Sequence, residues 1–89
     1  MFHIIIECDG LPESEGPQAA GDIAEAYALR PWQQNVACSW NGKTLRIETD
    51  NDFDHDGLAS QDEFSDEIVV YVRNAGYSDL RIVSVTELA

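Results

Sequence analysis

The chain has 89 residues, 44% of them hydrophobic, which is one domain with enough apolar side chain for a core. Asp and Glu number 17 against 5 Lys and Arg, a formal net charge of -12 that excludes a basic face for nucleic-acid phosphates and docking on anionic lipid. No apolar run approaches the ~20 residues of a membrane helix, and residues 1–9 carry no basic segment, so no signal peptide and a reducing cytoplasm are expected.

Residues 2–8 are β-rich and predict a strand, with Phe2, Ile4, Ile6 and Cys8 facing a core and His3, Ile5 and Glu7 facing away. Residues 9–16 are turn chemistry. Pro17 suits the first turn of a helix running to residue 29, with Ala20, Ile23, Ala24 and Tyr27 on one face. Asp22 and Glu25 stand in its earlier turns, where the dipole favours acid, and Pro31 stops it. Two alternating runs, 35–40 and 43–49, flank Asn41-Gly42, the preferred two-residue hairpin turn. That register pairs Trp40 with Lys43, Cys38 with Leu45 and Val36 with Ile47 on one face. Ala37, Ser39, Thr44, Arg46 and Glu48 take the other.

An acidic loop covers residues 50–59. Ser60 and Glu63 have capping-box form and predict the start of a second helix. Its stripe is Phe64, Ile68, Tyr71, Val72 and Ala75, with Arg73 in the last turn and Gly76 just past the end. Residues 80–86 predict the final strand, with Leu80 and Ile82 inward and Arg81, Val83 and Val85 outward. The order β-α-β-β-α-β predicts an α+β, ferredoxin-like two-layer sandwich over residues 1–89. Its antiparallel four-stranded sheet runs 4-1-3-2, with both helices on one face. Ile5, Val83 and Val85 would then form an apolar patch beside Arg46 and Arg81, either a homodimer or docking surface or a scatter of tolerated apolar residues.

Cys8 and Cys38 have no zinc or redox spacing and are read as reduced, buried thiols. Trp32 and Trp40 are expected to pack at the sheet ends, or else to anchor a binding surface. His3 reads as a surface strand residue. His55 lies among the carboxylates of the acidic loop. No phosphate loop and no nucleophile motif occur, so no enzyme is expected.

Residues 52–63 read Asp-x-Asp-x-Asp-Gly with Glu at the twelfth place. This resembles the calcium loop of the EF-hand family. The resemblance implies ligands at Asp52, Asp54, Asp56, the Leu58 carbonyl, Ser60 and Glu63, with Gly57 at the sharp turn. Two features depart from the family: Ala59 replaces the usual aliphatic at the eighth place, and a strand leads into the loop. The alternative is a solvated acidic turn in which Ser60 caps the helix.

The charge map points elsewhere. Residues 1–29 hold six acids and residues 48–67 hold nine, and neither stretch contains Lys or Arg. Such a surface suits a basic partner protein, with Asp50, Asp52, Asp54, Asp56, Asp62, Asp66 and Glu67 as the contact residues. In size and charge the chain is similar to small acidic inhibitors that imitate nucleic acid, including some phage anti-CRISPR and anti-restriction proteins. That resemblance implies a non-enzymatic inhibitor. A calcium-binding module is the alternative, and calcium is the one cofactor the sequence suggests.

Overall fold

Strict alternation in the first strand sets the layering. In β1 (Phe2–Asp9) Ile4, Ile6 and Cys8 are fully buried, while His3, Ile5 and Glu7 face the other way. The structure, a computed structural model, describes residues 1–73 and 78–88. The other strands are β2 (Gln34–Trp40), β3 (Leu45–Asn51) and β4 (Asp79–Glu87). They form one antiparallel sheet, β2-β3-β1-β4, with β3 and β1 central. Two helices, α1 (Gly16–Ala28) and α2 (Leu58–Tyr71), complete the ferredoxin-like βαββαβ arrangement, in the predicted strand order.

Helix α1 buries Ala19, Ala20, Ile23 and Tyr27, a stripe at helical spacing, with Ala24 only half-buried. Helix α2 buries Phe64 and Ile68, and Val72 at its cap continues the stripe. The two run antiparallel. The Tyr27 hydroxyl in the last turn of α1 donates to the Ser60 carbonyl in the first turn of α2 (3.1 Å). The Arg73 amide just past α2 donates to Glu15 ahead of α1 (3.2 Å). Ala75 and Gly76, expected in the stripe and at the helix end, lie outside the described residues. Arg73 follows the helix and is not part of its last turn.

The hairpin, β4 and the start of α2 depart from expectation. The hairpin does not close on a two-residue turn: Trp40 pairs with Leu45, Cys38 with Ile47 and Ala37 with Glu48. The Asn41 Oδ1 accepts from the backbone amides of Lys43 (2.9 Å) and Thr44 (2.7 Å), which widens the connection to residues 41–44. Gly42 takes φ +96°, but Asn41 stays out of the left-handed region that the tight turn demands. A shift of two places preserves parity, so Val36, Cys38, Trp40, Leu45 and Ile47 still face the core. Thr44, expected on the polar face, is buried, and its hydroxyl donates to Asp9 (2.5 Å).

The second correction is in β4. Ile5 pairs with Ser84 but Ile6 pairs with Ile82, so Val83 is an extra residue in a β-bulge. The bulge reverses the parity beyond it. Val85 therefore joins Ile82 against the core and leaves the open face. The apolar patch expected from Ile5, Val83 and Val85 is reduced to half-buried Ile5 and exposed Val83. The third concerns Ser60, which sits inside α2 and does not cap it; its own amide is held by the Asp54 carboxylate.

Trp40 packs against the core, and Gly16 leaves it room: a Cβ at Gly16 would overlap the indole. Gly16→Ala should therefore lower stability by ~1–3 kcal/mol and alter tryptophan emission, because the ring must move. Gly21→Ala, in open space on the same helix, should raise stability by up to ~1 kcal/mol. Urea unfolding followed by fluorescence reads both, and equal midpoints for the two variants would contradict this packing.

Candidate functional site

The acidic loop between β3 and α2 is folded by a buried polar network. Gln33, Thr49, Asn51, Asp54 and Ser60 are all buried, and no buried side-chain polar atom among the described residues lacks a partner. Asn51 turns the loop back: its Oδ1 accepts from the Asp54 amide (2.9 Å) and its Nδ2 donates to the Ser60 Oγ (3.1 Å). Gln33 reaches in from the α1–β2 loop. Its Oε1 accepts from Thr49 (2.8 Å) and Asn51 (3.0 Å), and its Nε2 donates to Ser60 (3.3 Å) and Glu63 (3.2 Å).

Asp54 is the helix cap. Its carboxylate accepts from the Ser60 amide (2.7 Å) and the Ala59 amide (3.3 Å), at the positive end of the α2 dipole. Gly57 precedes the helix with φ +79° and lies against Ile82 and Val85, where a Cβ would come within 3.1 Å of each. Its missing side chain lets the loop sit down on β4.

The positions implied by the EF-hand resemblance are held in other contacts. Both Asp54 oxygens are on helix amides, Ser60 Oγ is on Gln33 and Asn51, and Asp56 accepts from the Leu58 amide (3.0 Å). Glu63 turns to Arg30 (3.0 Å) and to the Trp32 indole N–H (3.0 Å). Asp52 is exposed. Among the described residues no three His, Cys, Asp or Glu side chains gather into a metal-holding group.

The sheet's open face carries a chain of ion pairs across three strands. His3 Nδ1 lies 2.6 Å from Asp50, and its Nε2 lies 3.4 Å from Glu48. Arg46 bridges Glu48 (3.6 Å) and Glu7 (3.5 Å), and Arg81 bridges Glu7 (2.7 Å) and Asp9 (2.5 Å). Asn35, in the left-handed region (φ 53°) at an irregularity of β2, donates to Asp50 (2.9 Å). Hydrogen bonding to Asp50 raises the His3 pKa against the opposing pull of burial, with Glu48 adding to it. Burial raises the Asp50 pKa, but Asn35 and His3 outweigh it, and the net shift is downward.

The contact residues expected from the charge map divide accordingly. Asp54 is buried in the cap and is not a surface residue. Asp50 is engaged on the sheet face. Glu67 pairs with Arg30 (2.9 Å), whose guanidinium lies 5.2 Å from the Tyr27 ring centroid. Asp52, Asp56, Asp62 and Asp66 are exposed, and none of them is in an ion pair among the described residues. From α1 come exposed Glu25 and half-buried Asp22, whose carboxylate accepts from the Gln18 Nε2 (3.1 Å).

Sequence reasoning missed the apolar part of the helix layer. Leu29 is 81% exposed, Val69 72%, Val70 70% and Tyr71 41%. Tyr71 lines an open groove with Asp22, Glu25, Ala26 and Leu29, about 260 Å³ in volume. The run from Ile68 to Val72 signals this, because five consecutive apolar residues point to every side of a helix, and one packed on a single face leaves some of them in water. Trp32, expected at a sheet end, is partly exposed beside Glu63. Cys8 and Cys38 are free thiols; burial pushes Cys38 up to about 12 and raises Cys8, so both stay protonated at neutral pH. Compared with family models, curated proteins and solved structures, nothing matches this chain.

Two outcomes follow from this geometry. Asp54→Ala should cost ~1–3 kcal/mol in urea unfolding, since it leaves helix amides without an acceptor, while exposed Asp52→Ala should stay within about 0.5 kcal/mol. Equal effects would remove Asp54 from the cap. The raised His3 pKa makes stability fully present below the unfolded value of about 6.5 and lost as pH rises through the higher folded value. Thermal unfolding between roughly pH 6 and 8 should show that decline, and His3→Gln should flatten it.

Proposed function

We propose that this protein is a small, acidic, non-enzymatic interaction module that binds a basic partner protein through its helix layer and acidic loop. The mode would be that of inhibitors that imitate nucleic acid. The observation that carries the reading is the segregation of charge. On the open sheet face, His3, Arg46 and Arg81 sit among Glu7, Asp9, Glu48 and Asp50 and largely offset them. On the helix layer and loop, Asp22, Glu25, Asp52, Asp56, Asp62 and Asp66 make no ion pair among the described residues; of the two cations there, Arg30 is already paired with Glu63 and Glu67, and Arg73 lies just past α2. Most of the -12 charge therefore projects from one side. A one-sided field orients a cationic partner before contact and speeds encounter.

The test is biolayer interferometry against a panel of basic nucleic-acid-binding proteins and neutral controls. Binding confined to basic members should weaken at least ~10-fold between about 50 and 500 mM salt. The quadruple variant Asp52→Asn/Asp56→Asn/Asp62→Asn/Asp66→Asn should abolish it. Asp79→Asn/Glu87→Gln, on edge strand β4, should leave it within about twofold. No bound basic protein, or binding indifferent to salt and to the quadruple variant, would overturn the reading.

A further inference from the structure

We propose that the groove between α1 and α2 seats an amphipathic, cationic helix of the partner; this inference rests on the reading of a basic protein partner above. Its wall on α1 is Asp22, Glu25, Ala26 and Leu29, one stripe at i, i+3, i+4 and i+7. The stripe spans about 10 Å, some two turns of a helix laid alongside. From α2 comes Tyr71, one turn beyond Glu67, on the flank that meets α1. Val70 stands one turn after Asp66 on the outer surface and, like Leu29, is mostly exposed.

The site thus offers apolar contacts from Leu29, Ala26 and Tyr71, with exposed Val70 next to Tyr71 on α2, and carboxylates at Asp22 and Glu25; among the described residues no cation lines it. Asp62 and Asp66 continue the acid along α2. That combination selects among occupants. A second copy would set these carboxylates against themselves, and an anionic lipid surface would meet the same repulsion. A helix with leucine-like anchors at i, i+3, i+4 and i+7 and Lys or Arg on its flanks satisfies both features. Ridge-and-groove packing between helices accepts that spacing.

Two synthetic 18-residue peptides test this: a Leu/Lys amphipathic helix, and an isomer of identical composition whose leucines are dispersed around the helix. Fluorescence anisotropy gives the affinities, and amide chemical shifts of the full-length protein locate the site. The amphipathic peptide should bind at least ~10-fold tighter than its isomer, with shifts centred on Ala26, Leu29, Val70 and Tyr71. Leu29→Asp and Val70→Asp alter exposed positions, so the fold should persist by circular dichroism. Each should remove most of the preference for the amphipathic peptide. Equal, salt-sensitive affinities for the two peptides would overturn the groove and leave the basic-partner reading standing. Binding of neither peptide, while basic proteins still bind in interferometry, would also overturn the groove; failure of both experiments would overturn both readings.

Discussion

The carboxylate of Asp54, buried under the first turn of α2, is the constraint on which the helix layer depends. A charge removed from water must be matched by donors, and the Ala59 and Ser60 amides supply them where the helix dipole is positive. Through Asn51 and Ser60 the same carboxylate is tied to β3, and through Gln33 to the loop that follows α1. Four separate chain segments meet there. The network fixes where α2 begins, and so which of its residues face the core and which face water. Fully satisfied buried networks hold one arrangement firmly, and the low dielectric around them penalises any partial break.

Charge is then sorted between the two sides of the sandwich. Fifteen of the 17 acids lie in two stretches with no base of their own. Folding brings His3, Arg46 and Arg81 against the acids of the sheet, and Arg30 against two acids of α2. Individual surface pairs are worth little. Their collective effect is to offset much of the charge on the sheet face and to leave the helix side strongly negative. The repulsion that remains costs stability, and it lies on the side that also exposes Leu29, Val69, Val70 and Tyr71.

The β-bulge at Val83 shows how one residue redirects a surface. By alternation alone, Val85 belongs with Ile5 and Val83 on the open face. The extra residue carries Val85 to the core, beside Ile82 and under Gly57. Apolar surface is thereby withdrawn from the open face of the sheet.

The element order, the strand order and the inward sets of β1, β2 and β3 were legible in the sequence. Period-two and period-3.6 patterns report which face of an element is apolar, and the right-handed crossover rule leaves few ways to connect them. Even the misplaced hairpin register kept the correct faces, because a slip of two residues conserves parity. Part of the candidate surface was legible as well: Asp52, Asp56, Asp62 and Asp66 are exposed as their composition suggested. Tertiary structure alone decided that Asp54 is buried and that Ser60 lies within α2. It also decided that Asp50 and Glu67 are paired, that Val85 faces the core and that Tyr71 lines a groove. The pairings of Asp50 and Glu67 and the groove at Tyr71 depend on partners distant in sequence, while the Asp54 cap and the bulge at Val83 are local breaks in a regular period; periodicity carries no record of either.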